Sequence, residues 1–229
     1  MLDIQTNLTR VFEQIEKAAQ RTGRKPEEIV LVAVTKNVEA QKILEALESG
    51  VKIIGENRIR EAESKLSLIG KKAVWHLVGH LQTNKVKKAL EIFETIQSVD
   101  SLHLASELNQ RAKQKNKKID VLIEVNTSGE TTKFGFLPSG VIPALKEMAI
   151  FEALNIRGLM TVGLFSSNQE EVRPCFRLLR KLKEEIERLR LDKISIDYLS
   201  MGMSGDFEMA IEEGSNMVRI GAAIFGPRQ

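Results

Sequence analysis

Eight short apolar segments of strand length alternate along this chain with amphipathic segments of helical spacing. The first strand-like segment, 29–35, and the fifth, 120–125, are the most strand-like in composition. Such alternation is typical of parallel strands joined by helical crossovers. Because eight of these units occur in 229 residues, the pattern predicts a closed (β/α)8 barrel of the TIM type rather than an open doubly wound sheet.

The helical segments follow the strands, and one precedes them all. Apolar residues at helical spacing predict an extra N-terminal helix over 4–22, and the longest helix is predicted over 169–190. The fourth strand is placed at 95–99 and the sixth at 157–161. No Pro- or Ser-rich linker divides the chain, so residues 1–229 are expected to form a single domain.

Composition argues against several classes of function. The 34 Lys and Arg nearly balance 31 Asp and Glu, so we expect no nucleic-acid or membrane footprint. The one cysteine, Cys175, cannot form an internal disulfide, which fits a reducing compartment. The three histidines lack metal-ligand spacing, so no metal site is expected. With no apolar segment near the roughly 20 residues of a membrane span, and with charges where a signal peptide is apolar, we expect a cytoplasmic protein.

Lys36 lies at the C-terminal end of the first strand-like segment. Side chains alternate between the two faces of a strand, so Val32, Val34 and Lys36 share one face. One interpretation is a lysine that has emerged into solvent at the end of a strand. The other is an amine in a partly apolar site, where desolvation lowers its pKa and allows it to form a Schiff base with an aldehyde.

The segments after strands seven and eight have the chemistry of phosphate-binding loops. Barrels of this type often hold phosphate there, on backbone N–H groups at helix starts. After strand seven, Ser200 offers a hydroxyl and Gly202 and Gly205 allow close backbone approach. After strand eight, Gly221 and Ala222 lead into a short helical segment. Turn geometry alone is the alternative reason for these glycines.

Arg219 lies within the otherwise apolar eighth strand, two residues before Gly221 and on the same face. A guanidinium inside a barrel is costly unless it is paired or bonded to a ligand. A buried ion pair, with Glu56 or Asp197, is one interpretation. The other is a donor to an acceptor atom of a bound ring, which would keep a ring nitrogen unprotonated because arginine does not give up its proton.

A Schiff-base lysine, two phosphate-binding loops and an inward arginine together describe pyridoxal 5′-phosphate (PLP) as the cofactor. The same residues lie in motifs that closely resemble those of the pyridoxal-phosphate homeostasis protein family. The block Ser-Met-Gly-Met-Ser-Gly-Asp at 200–206 is the most specific of them. The resemblance extends over almost the whole chain, with matching motifs at 32–36, 54–57, 75–85, 200–206 and 218–222.

The resemblance implies a fold-type III PLP barrel like the N-terminal barrel of alanine racemase. It implies that Lys36 holds PLP as a Schiff base and that Arg219 faces the pyridine nitrogen. Lys133 occupies a place resembling a racemase arginine that approaches the phenolic oxygen of the cofactor. The remaining implied cofactor-binding residues are Ser200, Gly221 and Ala222 at the phosphate, and Asn57 and His80 around the ring.

The expected function depends on whether the chain has the further catalytic group that a racemase requires. A two-base racemase requires a second acid–base group, which alanine racemase takes from a separate domain. This sequence ends eight residues after Gly221, and its only tyrosine, Tyr198, lies in a barrel strand. We therefore expect a protein of intracellular PLP homeostasis that buffers PLP and supplies it to apo-enzymes without specific turnover, as a monomer or weak homodimer. A weak fold-type III racemase or lyase, or a sugar-phosphate enzyme without cofactor, are the alternatives.

Overall fold

The computed structural model describes residues 3–166 and 168–227, and its eight strands close into one parallel barrel. Each strand pairs with the next in sequence order, and β8 pairs with β1 to close the ring. The strands are β1 (Val30–Val34), β2 (Ile53–Glu56), β3 (Val74–Leu77), β4 (Thr95–Val99), β5 (Ile119–Glu124), β6 (Leu154–Met160), β7 (Ile194–Ser200) and β8 (Met217–Ile220).

Helices cover the outside of the barrel, and short 3₁₀ turns lie at Pro26–Glu28, Gly70–Lys72 and Thr83–Lys85. Within the described part of the chain, no helix combines the length and the apolar character needed to cross a membrane. The helices are α1 (Ile4–Arg21), α2 (Ala40–Glu48), α3 (Ile59–Ile69), α4 (Val86–Ile92), α5 (Leu102–Gln114), α6 (Pro138–Met148), α7 (Gln169–Leu189), α8 (Phe207–Glu212) and α9 (Ala222–Phe225).

The predicted (β/α)8 barrel with an extra N-terminal helix is confirmed. Helices α1 and α7 end within one residue of their predicted limits, and β4 has its predicted limits. The sixth strand begins at Leu154, earlier than predicted. The prediction missed residues 154–156 because the polar Asn155 interrupts the apolar run; its side chain donates to Asp120 on β5.

Two apolar layers enclose the strands. Between strands and helices lies the large core, which includes Trp75, Phe93 and Phe176. Inside the barrel, the described residues form a small cluster of Val32, Leu122, Met160 and Met217, against which the half-buried Tyr198 packs. Several buried polar residues, among them Gln97, Glu124, Ser200 and Arg219, lie nearer the C-terminal ends of the strands and form the floor of the site described below.

Gly158 allows β6 and β7 to approach closely. A Cβ built on Gly158 would lie 2.1 Å from the carbonyl oxygen of Tyr198, its partner across the sheet. Real carbon and oxygen atoms do not approach so closely, so a side chain at this position would push the two backbones apart. The pairing of β6 with β7 also shifts register between Ile156 and Gly158.

We expect Gly158→Ala to lower the free energy of unfolding by about 2 kcal/mol or more, because the clash involves backbone that cannot rotate away. The matched control is Gly140→Ala in α6, where an added Cβ meets nothing within 4 Å. That change should be neutral or stabilise by up to about 1 kcal/mol, since alanine favours a helix over glycine. Chemical denaturation of both variants measures the difference, and equal effects would contradict the close approach.

Candidate functional site

The C-terminal end of β1 carries Lys36 to the mouth of the barrel. Thr35, just before it, is buried, and its hydroxyl donates to Oε1 of Glu56 at 2.6 Å. Its carbonyl accepts from Nζ of Lys65 at 2.7 Å. Val32 belongs to the cluster inside the barrel, and β1 ends at Val34, so Lys36 lies in the turn just beyond the strand. Lys36 itself is half-buried.

Arg219 is enclosed in the barrel interior, where only 5% of its surface is exposed. It donates from Nη1 to Oγ of Ser200 at 2.6 Å and from Nη2 to the carbonyl oxygen of Thr161 at 2.7 Å. Burial lowers the pKa of Arg219 to about 10, partly offset by Glu124 and Asp206. The guanidinium is therefore still a cation at neutral pH.

Neither carboxylate named as a partner for Arg219 in an ion pair takes that role. Glu56 instead bonds to Nζ of Lys65 at 2.7 Å, on the outer side of the barrel. Asp197 pairs with Arg157 at 2.9 Å. The interpretation that Arg219 forms an ion pair with Glu56 or Asp197 is therefore wrong, because these carboxylates pair with other cations, Lys65 and Arg157.

A chain of buried hydrogen bonds leads from Arg219 across the barrel, and its direction is fixed at the arginine end. Arginine can only donate, so Ser200 accepts from it and donates its own proton to Oε1 of Gln97 at 2.7 Å. The amide nitrogen of Gln97 then donates to Nδ1 of His76 at 2.8 Å. His76 must therefore carry its proton on Nε2 and stay neutral. Burial agrees, because it lowers the pKa of His76 to about 4.

Backbone N–H groups after β8 converge on a serine hydroxyl, but not on the one expected. Oγ of Ser204 accepts from the N–H of Gly221 at 3.3 Å and from that of Ala223 at 3.2 Å. Ser200 lies inside the barrel instead, fully buried against Arg219. The second serine of Ser-Met-Gly-Met-Ser was the signal for this arrangement, because it stands where the loop turns toward α8.

This loop lies directly against the end of β1. A Cβ built on Gly221 would lie 3.1 Å from the carbonyl oxygen of Val34. The N–H groups of Gly221 and Ala223 are therefore at the same edge of the barrel as Lys36, two residues beyond Val34. The structure thus brings the predicted lysine and the predicted phosphate-binding loop together. Ala222, between Gly221 and Ala223, is the first residue of α9.

Asn57 and His80 follow β2 and β3 at the same mouth. A Cβ on Gly79 would lie 2.5 Å from the carbonyl oxygen of Asn57, so the two loops touch. The imidazole of His80 bonds through Nδ1 to Oδ2 of Asp100 at 2.7 Å. It also stacks on Phe134, with ring centroids 3.8 Å apart. The position of the His80 ring is therefore set by two contacts from neighbouring loops.

Lys133 lies in the loop after β5, half-buried. Its Nζ donates to the carbonyl oxygen of Gly163, in the loop after β6, and pairs with Glu130. These bonds tie two loops together at the barrel mouth. An approach of Lys133 to a phenolic oxygen stays a prediction.

Glu124 ends β5 inside the barrel, with 8% of its surface exposed. Burial, with a smaller contribution from Asp100, raises the pKa of its carboxyl to about 7, although Arg219 opposes the shift. Glu124 and His76 are thus two buried titratable groups, and burial disfavours the charged form of each.

We expect these two groups to give opposite pH dependences of stability. The folded pKa of Glu124 is raised, so the folded state binds more protons and stability falls as pH rises from about 4.5 to 7. The folded pKa of His76 is lowered, so the unfolded state binds more protons and stability rises from about pH 4 to 6.5. Each effect is on the order of 3 kcal/mol and they largely cancel.

The single variants should separate the two effects. In Glu124→Gln the unfolding free energy should rise with pH across this window more steeply than in the unsubstituted chain. In His76→Gln the unfolding free energy should fall with pH instead. The introduced amide oxygen can still accept the hydrogen bond from Gln97. Urea denaturation at several pH values between about 5 and 7 measures both slopes. Slopes of the same sign would contradict the assigned protonation states.

Known proteins place this chain in a family. Residues 6–229 match the family model described as the alanine racemase N-terminal domain. A pyridoxal phosphate homeostasis protein of Aquifex aeolicus is 41% identical over 223 residues, which cover 97% of each chain. One of Escherichia coli K12 is 38% identical over 232 residues, covering 100% of this chain and 98% of that one. The chain belongs to the alanine racemase N-terminal domain family, and within it to the pyridoxal phosphate homeostasis proteins.

Solved structures show the same architecture. PipY of Synechococcus elongatus PCC7942, solved with PLP bound, has a TM-score of 0.82 at 32% identity and covers 93% of this chain and 100% of its own. Alanine racemase of Clostridium difficile 630 has a TM-score of 0.75 at 16% identity, covering 99% of this chain but 56% of the racemase. At that identity the racemase establishes the shared barrel alone.

Proposed function

We propose that this chain binds PLP at the C-terminal mouth of its barrel, with the cofactor aldehyde held by Lys36 as a Schiff base. The observation that carries the proposal is that the loop after β8, with the N–H groups of Gly221 and Ala223, lies against Val34 at the end of β1, two residues before Lys36. An amine and a set of anion-binding donors on one edge match the two ends of PLP. The name of the relatives and the PLP bound to PipY support the same cofactor.

The phosphate end of the cofactor is assigned to the loop after β8. The N–H groups of Gly221 and Ala223 already point at one oxygen atom, Oγ of Ser204. Backbone donors arranged in this way suit a phosphate oxygen. We assign Ser204 as the hydroxyl at the phosphate, beside Gly221, Ala222 and Ala223. Ser200 orients Arg219 instead.

Arg219 is assigned to the pyridine nitrogen. Two of its donors are taken by Ser200 and Thr161, and further N–H groups of the guanidinium remain for a ligand. Because Arg219 stays charged, it can donate to a ring nitrogen but not protonate it. Asn57 and His80, which follow β2 and β3, are assigned to the ring, and Lys133 is assigned to the phenolic edge.

We assign the chain a carrier role in PLP homeostasis, which buffers the cofactor and supplies it to apo-enzymes. PLP supplies a reactive aldehyde and, when its ring nitrogen is protonated, an electron sink for amino-acid chemistry. An arginine at that nitrogen weakens the sink. The only tyrosine, Tyr198, lies deeper in the barrel than Ser200 and packs on the interior cluster, so it does not serve as a second acid–base group at the mouth.

The covalent assignment is tested by borohydride reduction of the chain loaded with PLP, followed by peptide mapping. We expect one reduced pyridoxyl group per chain, on Lys36, because a Schiff base is the only linkage that the reduction fixes there. Lys36→Ala should lose both the label and the near-visible absorption band. Lys52→Ala is the control, since Lys52 is an exposed lysine before β2, at the other end of the barrel. A label that remains in Lys36→Ala would overturn the assignment.

The two serines are distinguished by comparing PLP with pyridoxal, which lacks the phosphate. Ser204→Ala should weaken PLP binding about tenfold and leave pyridoxal binding unchanged, because it removes a hydrogen bond to a charged phosphate. Ser200→Ala should weaken both ligands alike, because it acts through Arg219. Fluorescence titration of the two variants measures the ratio. A phosphate-selective loss in Ser200→Ala would restore the first assignment.

The carrier role is tested by incubating the loaded chain with an apo-form of a PLP enzyme and following the recovery of that enzyme's activity. Transfer should restore activity, and the loaded chain alone should not racemise or cleave amino acids. Turnover of an amino acid at roughly 1 s⁻¹ or more would identify the chain as a catalyst and contradict the carrier role.

A further inference from the structure

A second cavity opens beside the proposed cofactor site, between the loop after β2 and the loop after β3. Its volume is about 420 Å³, within the usual range of small-molecule sites. Asn57 and His80 form part of its wall, so it adjoins the mouth of the barrel. The rest of its lining has no role in the proposed cofactor function.

The lining of this cavity is strongly basic. The lining includes one carboxylate, Glu63, and four cations: Arg58, Arg60, Lys85 and Lys88. Glu63 pairs with Lys88 at 2.8 Å. Within 3–166 and 168–227, the side chains of the other three cations have no hydrogen-bond or ion-pair partner. Cations around one cavity repel each other unless an anion lies between them.

This concentration of positive charge is local. The chain as a whole is nearly balanced, with a formal net charge of +3. The larger cavity of about 730 Å³ at the opposite end of the barrel is acidic, with Glu13, Glu16 and Glu27 against Lys52. An anion is therefore attracted to the mouth of the barrel and repelled from its base.

We propose that the basic cavity binds the polyphosphate group of a small anion. The planar fork of arginine matches phosphate oxygens in pairs, and lysine adds a compact charge. A single phosphate monoester carries a charge of about −1.5 to −2, which leaves part of the three unpaired cations uncompensated. Two or more linked phosphoryl groups balance them, in an inorganic polyphosphate or in a nucleotide.

This inference goes beyond the cofactor function and does not depend on it. The cations that carry it lie on the loop after β2, the first turn of α3 and the segment before and within α4. Bound polyphosphate would lie next to Asn57 and His80, at the rim that the cofactor must pass. Binding is therefore measured in Ser204→Ala, which alters the loop assigned to the cofactor phosphate, as well as in the unsubstituted chain.

The test is calorimetric titration with inorganic triphosphate, and separately with ATP. We expect saturable binding of one triphosphate per chain, weakened at least tenfold in Arg60→Ala/Lys85→Ala, because both lost cations contact the anion. The matched control is Lys42→Ala/Lys52→Ala, which removes two exposed cations elsewhere and should change the affinity less than about twofold.

The outcomes separate the sources of the anion. Tighter binding of ATP than of triphosphate supports a nucleotide, and equal binding supports the polyphosphate group by itself. The proposal would be overturned if no saturable binding were found up to a ligand concentration of about 1 mM, the weak end of specific affinity. Equal weakening in both double variants would also overturn it, because general attraction to a cationic surface would then explain the result. Binding that persists in Ser204→Ala separates this cavity from the loop assigned to the cofactor phosphate, and loss of binding in that variant would overturn the separate site.

Discussion

Arg219 is a permanent cation enclosed by parallel strands, and the interior of the barrel is built to satisfy it. A buried charge is tolerated only when its donors are hydrogen-bonded, and here Ser200 and the carbonyl of Thr161 accept from it. That requirement fixes the proton of Ser200, then the amide of Gln97 and finally the tautomer of His76. The hydrogen bonds of the polar interior therefore have a single arrangement, which fixes the position of the guanidinium beneath the mouth.

The mouth above it has two halves with different chemistry. On one side, the loop after β8 lies against the end of β1 and presents the N–H groups of Gly221 and Ala223. On the other side, the imidazole of His80 is hydrogen-bonded to Asp100 and stacked on Phe134. An amine, anion-binding donors and a fixed guanidinium between these halves suit a phosphorylated, aldehyde-bearing ring better than a free amino acid or sugar.

The sequence predicted the class of fold and most of the positions around the mouth, because strand alternation and loop order carry that information. It did not predict that Ser204, and not Ser200, accepts from the N–H groups of Gly221 and Ala223. Ser200 and Ser204 are four residues apart in one motif, and only the end of β7 decides that the first is inside the barrel. Gln97 also went unnoticed, since an amide in a short strand gives no sequence signal until His76 and Ser200 lie on either side of it.

Periodicity alone determined that this chain makes eight strand–helix units, and the order of those units determined which loops share an edge. Both follow from local patterns of apolar residues, which a single sequence displays. Tertiary structure decided the partners of each buried polar group, including the absence of Glu56 and Asp197 from the neighbours of Arg219. Hydrogen bonds between distant strands depend on barrel closure, and closure is a property that no local stretch of sequence contains.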